Sequence, residues 1–186
     1  MSIIGVTGSI ASGKTTVACL MAGKKYPLFS ADMVVTSLYK KKSFIKILVK
    51  KFNLRSKKKI KCQIKLILKR NKNNLNKLES IIHPLVRKEM KIFLRKKNRI
   101  LILEIPLLIE NRLNKYFDKL IFVGANKKLR LKRYLKRNSD KKTFNLLNKR
   151  QLSSAVKKKI CDYTIDNNYS LIILKKNVKN FIKQHE

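Results

Sequence analysis

A glycine-rich segment near the N-terminus constrains the fold of this chain more than any other feature. Gly8, Gly13, Lys14 and Thr15 fit the pattern G-x-x-x-x-G-K-[ST]. The apolar residues before the segment predict a β-strand, and the residues after it predict a helix. A strand that enters such a turn and leaves it as a helix directs successive backbone N–H groups at one point, where the helix N-terminus adds positive charge. The segment therefore predicts a nucleotide phosphate-binding loop rather than a chance glycine turn.

The loop also predicts two specific contacts. In loops of this type the lysine reaches the β- and γ-phosphates, and the hydroxyl of the next residue faces Mg²⁺. These roles fall to Lys14 and Thr15. The chain has only 5 glycines, so two of them at this spacing are informative.

Length and hydrophobic content indicate a folded protein that does not cross a membrane. The chain has 186 residues, of which 44% are hydrophobic, enough for one domain with inserted subdomains. Its longest apolar stretch, 100–109, is interrupted by Glu104 and Pro106, and spanning a bilayer takes about 20 residues. The N-terminus leads directly into the predicted loop and does not resemble a removable signal. We expect a cytoplasmic protein without a membrane partner.

The formal charge of +37 has three possible explanations. Lysines are spread along the whole chain, and isoleucine, lysine and asparagine are abundant together, as in compositional drift on solvated faces. A basic surface also binds nucleic acid, or attracts anionic substrates in general. Because the lysines do not gather in one tail or stripe, drift is favoured and no specific nucleic-acid partner is expected.

Short apolar runs alternate with helical stretches, which predicts an α/β fold with a parallel sheet. The strand candidates are 3–6, 27–30, 99–105, 119–124 and 162–166. A basic helical region follows the second strand, roughly 32–97, and is longer than a crossover needs. A second helical insertion, 129–159, follows the fourth strand, and 171–182 predicts a closing amphipathic helix.

Two carboxylates end strand candidates. Asp32 follows the second strand at the edge where ligands of parallel sheets bind, so it is placed to accept or orient the proton of an attacking hydroxyl. Alternatively it caps the next helix. Glu104 ends a continuous apolar run, where a buried acid is suited to the water shell of Mg²⁺. Pro106 then ends the strand pairing.

His83 and three arginines are weaker candidates. Pro84 follows His83, which predicts that a helix begins there with the histidine near its cap. Arg130, Arg133 and Arg137 lie on one helical face by spacing. A mobile helical lid can use such guanidinium groups to stabilise charge on a moving phosphate, although surface charge is the alternative in so basic a chain.

Taken in order, these segments resemble the dephospho-CoA kinase family over nearly the whole chain. The matching segments are the loop 5–16, Ser30-Ala31-Asp32, His83-Pro84-Leu85-Val86-Arg87, Glu104-Ile105-Pro106-Leu107-Leu108-Ile109-Glu110, Arg133 to Arg137, and Cys161 to Asn167. Ser30 and Glu104 stand where the family carries aspartates, and Leu146 stands where its lid often carries an arginine.

The resemblance implies a fold and an activity. The fold is the three-layer P-loop NTPase fold of nucleotide kinases, with a five-stranded parallel sheet. Its core would be 1–31, 98–128 and 160–186, its helical CoA-binding insertion about 32–97, and its lid about 129–159. The activity is Mg²⁺-dependent transfer of the ATP γ-phosphoryl group to the ribose 3′-hydroxyl of dephospho-CoA. The alternatives are another small-molecule P-loop kinase or, less favoured, a basic nucleic-acid-binding protein. We expect a monomer or weak homo-oligomer.

The resemblance also implies roles for individual residues. Asp32, Lys14 and Arg137 would be catalytic, while Asp32, His83, Pro106 and Leu107 would contact the acceptor substrate. Thr15 and Glu104 would be on the metal. The nucleotide would be bound by Gly8, Ala11, Ser12, Gly13, Lys14, Thr15, Thr16 and Arg133.

Overall fold

A five-stranded sheet lies at the centre of the larger of two units in this chain. The computed structural model describes residues 1–54, 56, 59–71, 73–137 and 140–185, with the backbone alone at 69 and 70. The larger unit comprises Met1–Ser30 with Lys96–Glu186, and the smaller unit comprises Ala31–Arg95.

The strands of the sheet are β1 Ser2–Gly8, β2 Leu28–Ser30, β3 Ile100–Glu104, β4 Lys119–Gly124 and β5 Tyr163–Asp166. All of them run parallel, in the order β2-β3-β1-β4-β5. Each corresponds to a predicted strand. The largest difference is at β1, which continues to Gly8 because Gly8 still pairs with Val123 of β4. The prediction of a five-stranded parallel α/β sheet is confirmed.

Helices flank the sheet in the larger unit. They are α1 Lys14–Ala22, α6 Lys127–Leu135, α7 Lys141–Lys149, α8 Ser154–Ile160 and α9 Leu171–Lys183, and a short 3₁₀ turn covers Asn114–Tyr116. The smaller unit contains α2 Ala31–Leu38, α3 Lys42–Phe52, α4 Ile60–Arg70 and α5 Asn73–Phe93. The closing helix expected at 171–182 is therefore present as α9.

Alternate residues of the strands face two different layers, as the two-residue repeat of a strand requires. One sheet face packs with α1 and α9 in a single buried cluster, which includes Ile4, Ile102, Val123, Val17 and Val178. On the opposite face Gly5 makes a close approach. A Cβ there would lie 2.8–2.9 Å from the side chains of Phe117, Leu108 and Leu120.

The strand order creates a crevice at the carboxyl edge of the sheet. After β1 the chain passes through α1 to β2, which pairs with β3 rather than with β1. After β3 it crosses to β4, on the other side of β1. The connections thus leave neighbouring strands in opposite directions, and ligands of open parallel sheets bind at such a switch point. Val6 of β1 pairs with Glu104 of β3, which places Glu104 at this edge.

The smaller unit is helical and has its own apolar core. Buried residues of this unit form one cluster, comprising Leu38, Phe44, Leu48, Leu54, Ile60, Ile64 and Leu78. Tyr39 packs edge-on against Phe44, with ring centroids 5.3 Å apart. Within the described part of the chain, no helix combines the length and the apolar character needed to cross a bilayer.

One prediction about this unit is wrong. His83 and Pro84 do not begin a helix, because both lie inside α5. Proline cannot donate to the carbonyl of the residue four positions earlier, which costs a helix about 3 kcal/mol. Apolar packing on both sides offsets that cost, since Leu78 is buried before the proline, and Met90 and Phe93 are buried after it. Tertiary packing overrides the local signal here.

Candidate active site

The predicted phosphate loop is the connection between β1 and α1. Ala11 and Gly13 adopt positive φ angles of 59° and 95°. The N–H of Ser12 donates to the Ser9 carbonyl over 3.1 Å, and the N–H of Val17 donates to the Gly13 carbonyl over 3.0 Å as the helix begins. Left-handed residues in a short turn direct consecutive N–H groups into a concavity that suits anions. The backbone therefore has the form of an anion-binding loop.

Both motif glycines are required by close contacts. A Cβ on Gly8 would lie 2.5 Å from the carbonyl oxygen of Val123 and 2.8 Å from the Ser12 Oγ. A Cβ on Gly13 would lie 2.2 Å from the Asn167 Nδ2. Backbone and packed side chains cannot give way by that much, so only glycine fits at either position.

Lys14 and Ser12 place polar groups in the loop. Lys14 is the first residue of α1, only 8% exposed, and its Nζ donates to the Ser9 carbonyl over 3.2 Å. Ser12 is fully buried, and its Oγ has no hydrogen-bond partner among the described residues. A buried hydroxyl without a partner is costly unless a ligand supplies one. Thr16, the third residue of α1, is exposed.

Glu104 connects the loop helix to the end of β2. Its Oε1 accepts a hydrogen bond from the Thr15 Oγ1 over 2.7 Å, and its Oε2 accepts one from the Ser30 Oγ over 2.8 Å. The carboxylate is 1% exposed. Both carboxylate oxygens therefore accept hydrogen bonds from hydroxyls.

The surroundings of Glu104 fit a divalent cation. Among the described residues no cation pairs with this buried carboxylate, although burying an uncompensated charge is expensive. Carboxylate and hydroxyl oxygens are ligands that Mg²⁺ prefers. The described residues hold no group of three or more His, Cys, Asp or Glu suited to a metal. Mg²⁺ in kinases takes one or two protein ligands and fills its remaining positions with phosphate and water oxygens, so Thr15 and Glu104 suffice.

The three arginines do not share one helical face, and that prediction is wrong. Arg130 and Arg133 lie in α6, but the helix ends at Leu135, before Arg137. Arg130 is 5% exposed and donates from Nη1 to the Ile10 carbonyl over 3.3 Å. Burial lowers the pKa of its guanidinium from the ordinary value. Arg130 is thus a buried residue that supports the phosphate loop through the Ile10 carbonyl, whereas Arg137 is exposed.

Arg133 is half-buried and lies next to the loop after β5. Its Nη2 donates to the backbone carbonyl of Asn167 over 3.0 Å and to the Asn167 Oδ1 over 3.3 Å. Burial lowers its pKa, and the nearby charge of Arg137 lowers it further. A partly desolvated guanidinium with a second positive charge nearby favours an anion beside it.

A segment around α8 also holds the phosphate loop, and the sequence interpretation assigned it no such role. The Gln151 Oε1 accepts a hydrogen bond from the Ile10 N–H over 2.7 Å, and the Ser154 and Ser9 hydroxyl oxygens lie 3.2 Å apart. The region 129–159 therefore contributes to the walls of the loop. It belongs to the larger unit and does not form a unit of its own.

The contacts of Asn167 were also not anticipated, although its place at the end of a strand was. It follows β5, is 7% exposed, and donates from Nδ2 to the Ser12 carbonyl over 2.9 Å. A polar residue at the carboxyl end of a parallel strand was the available signal, the same signal that singled out Asp32.

The remaining predicted residues lie outside the loop. Pro106 and Leu107 follow β3, and the Pro106 carbonyl accepts a hydrogen bond from the Thr7 Oγ1 over 3.3 Å. Asp32 and His83 belong to the smaller unit. Asp32 is exposed and is the second residue of α2, so it lies in the first helical turn rather than at the cap. His83 is half-buried in α5.

Comparison with known proteins gives one family. The family model described as "Dephospho-CoA kinase" matches residues 2–172. A dephospho-CoA kinase of Fusobacterium nucleatum is 35% identical over 192 aligned positions, covering 96% of each chain. The dephospho-CoA kinase of Bartonella henselae is 35% identical and covers 89% of each chain.

Solved structures share the fold. TT1252 from Thermus thermophilus superposes with a TM-score of 0.79 at 26% identity, covering 100% of this chain and 98% of the other. Dephospho-CoA kinase from Campylobacter jejuni superposes with a TM-score of 0.70 at 23% identity, covering 100% and 97%. Shikimate kinase from Bacteroides thetaiotaomicron, at 11% identity and a TM-score of 0.61, covers 98% and 97% and shares the architecture alone.

Proposed function

The chain belongs to the dephospho-CoA kinase family, and we propose that it transfers the γ-phosphoryl group of ATP to the ribose 3′-hydroxyl of dephospho-CoA, giving coenzyme A and ADP. The observation that carries the proposal is the combination of a formed phosphate loop with a buried Glu104 on the hydroxyl of Thr15. Phosphoryl transfer depends mainly on positioning and on neutralising phosphate charge, and this arrangement supplies both.

The phosphate loop binds the triphosphate of ATP. Backbone N–H groups of the loop from Gly8 to Gly13 face the phosphate oxygens, and the Lys14 ammonium neutralises their charge. The unpartnered Ser12 hydroxyl and the exposed Thr16 add hydrogen-bonding groups at the same place. Arg133 and Arg137 supply guanidinium groups for charge on the transferred group.

Thr15 and Glu104 hold Mg²⁺. When bound there, the ion would neutralise charge on the phosphates. Glu104 replaces an aspartate of the family pattern, and its longer side chain reaches both Thr15 and Ser30. Ser30 thus positions the carboxylate by donating a hydrogen bond, where a second acid would repel it.

The acceptor alcohol is handled by the remaining residues. Asp32 accepts or orients the proton of the 3′-hydroxyl. Its carboxylate suits this role because it is exposed and follows the end of β2. His83 in the helical insertion, about 32–97, and Pro106 and Leu107 after β3 contact dephospho-CoA. The lid, about 129–159, covers the phosphates.

A coupled assay of ADP release tests the proposal. The purified protein, with Mg²⁺ and ATP, is given dephospho-CoA, a nucleoside or a nucleoside monophosphate as the only acceptor. We expect ADP release to depend on dephospho-CoA. Lys14→Ala should lose most activity, by a factor of about 10² or more, while Lys24→Ala, an exposed lysine after α1, should retain it. Equal activity with nucleosides, or full activity in Lys14→Ala, would refute the proposal.

A further inference from the structure

Asn167 occupies a buried position between three parts of the larger unit. It directly follows β5, and its backbone N–H donates to the Gly124 carbonyl at the end of β4 over 2.8 Å. That bond continues the strand pairing and fixes the backbone of the residue. Only 7% of Asn167 is exposed, so the direction of its side chain is set by packing.

The carboxamide of Asn167 donates and accepts at once. Its Nδ2 donates to the Ser12 carbonyl over 2.9 Å, and its Oδ1 accepts from the Arg133 Nη2 over 3.3 Å. The same Arg133 nitrogen also donates to the Asn167 backbone carbonyl over 3.0 Å. An amide suits these two contacts because it carries a donor and an acceptor on separate atoms, whereas a carboxylate only accepts and an apolar group does neither.

The amide of Asn167 also lies against Gly13, the last glycine of the loop. A Cβ on Gly13 would lie 2.2 Å from the Asn167 Nδ2, so the amide covers the residue from which α1 starts. The loop therefore depends on Asn167 from two sides, through the Ser12 carbonyl and through van der Waals contact with Gly13.

Arg133 retains capacity for an anion after these contacts. Its Nη1 is a buried atom with no hydrogen-bond partner among the described residues. Within the described chain both of its hydrogen bonds go to oxygens of Asn167, which are neutral, and no carboxylate pairs with it. A desolvated guanidinium with an unused donor is a site for a phosphate oxygen.

We propose that Asn167 is a positioning residue that fixes the Arg133 guanidinium relative to the phosphate loop, and thereby determines the affinity for the nucleotide. It acts through Ser12, Gly13 and Arg133 and needs no contact with the phosphates itself. The inference rests on the proposed function only in that the bound anion is a nucleotide.

Nucleotide binding and kinetics of variants at Asn167 test the inference. Asn167→Asp keeps the shape of the side chain but loses the donor to Ser12 and places a carboxylate beside Arg133, where it competes with phosphate. We expect it to raise the Kd for Mg·ADP and the KM for ATP by at least about 10-fold, with the KM for dephospho-CoA changed less than about 2-fold. Asn167→Ala should show a smaller loss in the same direction. Asn168→Ala is the matched control, because Asn168 is exposed and its Oδ1 accepts a hydrogen bond from the N–H of a different residue, Asn126, over 2.7 Å.

A double-mutant cycle separates positioning from a general loss of stability. If Asn167 works through Arg133, then Asn167→Ala should cost much less in the Arg133→Met background than in the wild type. Multiplicative effects would overturn the proposal. So would a lowered Tm with unchanged Kd and KM, which a purely structural residue would give. If Asn167→Asp does not fold, the Asn167→Ala cycle decides alone.

The Mg·ADP binding measurement is independent of the kinase assay that tests the proposed function. Mg·ADP binding is measured calorimetrically without any acceptor. Failure of the kinase reaction with intact, Asn167-dependent ADP binding would reject the proposed substrate and leave the role of Asn167 standing. Wild-type ADP binding in every Asn167 variant would reject the role of Asn167 and leave the substrate standing.

Discussion

Replacing Lys157 by Met should strongly destabilise the larger unit, because it breaks a buried ion pair. Lys157 is fully buried in α8, and its Nζ lies 2.7 Å from the Glu110 Oε1. The Glu110 side chain is 14% exposed and also accepts a hydrogen bond from the Leu152 N–H over 2.9 Å. The Glu110 Oε2 is buried without a hydrogen-bond partner among the described residues.

The size of the effect follows from what the substitution leaves behind. Removing Lys157 leaves the Glu110 carboxylate buried with one backbone donor, and breaking a buried pair in this way costs about 3–5 kcal/mol. A whole domain is stable by about 5–15 kcal/mol, so a substantial part of the stability is lost. At roughly 2–4 °C per kcal/mol for a domain of this size, Tm should fall by about 10 °C.

Thermal unfolding of three variants, followed by circular dichroism, measures the effect. Lys157→Met and Glu110→Gln are compared with the double variant Glu110→Gln/Lys157→Met, which carries no charge at either site. The double variant should lie within about 2 kcal/mol of the wild type, because replacing both buried charges removes the unpaired one. Lys158→Met is the control. Lys158 is about half exposed, and its pair with the Asp166 Oδ1 is long, at 3.9 Å, so losing it should cost little.

Two results would refute this reasoning. A Lys157→Met variant with the wild-type Tm would show that the pair contributes nothing. A double variant as unstable as the single one would show that Lys157 acts through its packing volume and not through its charge.

Two further predictions concern the site and its surroundings. Glu104→Gln should lower kcat by about 10² and raise the Mg²⁺ concentration needed for half-maximal activity, because the charge beside Thr15 is lost. Ser30→Ala removes only a hydrogen-bond donor and should have a smaller effect, and an unchanged Mg²⁺ dependence in Glu104→Gln would contradict the assignment. Cys161 should resist alkylation, since burial above all, and then the charge of Asp162, raise the pKa of its thiol from 9.0 to about 11, against the opposing effect of Lys157. At pH 8 the thiolate fraction of Cys161 is then about 100-fold lower than a pKa of 9.0 would give. Mass spectrometry after brief iodoacetamide treatment should find label on the exposed Cys19 and Cys62. Equal labelling of all three cysteines would refute this.

The sheet and the loop were predictable because their signals are local. The phosphate loop, the apolar runs of the strands and the carboxylate ending β3 each depend on residues close in sequence. β4 was predicted with the bounds it has, Lys119–Gly124. Glu104 was predicted at the carboxyl edge because an unpaired acid inside a buried strand is costly unless it binds a ligand.

The errors arise where distant contacts decide the outcome. Pro84 is a strong local signal for a helix start, yet Leu78, Met90 and Phe93 keep α5 continuous through it. Arg137 matched the spacing of Arg130 and Arg133, but α6 ends at Leu135.

The contacts of Asn167 and Gln151 with the phosphate loop were beyond sequence reasoning for the same reason. Asn167 lies 155 residues from Ser12, and Gln151 lies 141 residues from Ile10. Such partners are brought together only by the sheet order and the packing of the insertion. The sequence placed Asn167 at the end of a strand but did not show that it contacts Ser12 and Arg133.

The most direct test of the account is the site of phosphorylation on the acceptor. The protein is incubated with Mg·ATP and dephospho-CoA, and the product is analysed by mass spectrometry and ³¹P NMR. The account predicts one added phosphoryl group, present as a monoester on the ribose 3′-oxygen, and none from Lys14→Ala. Phosphate on another position, or ATP hydrolysed to inorganic phosphate with dephospho-CoA unchanged, would contradict it.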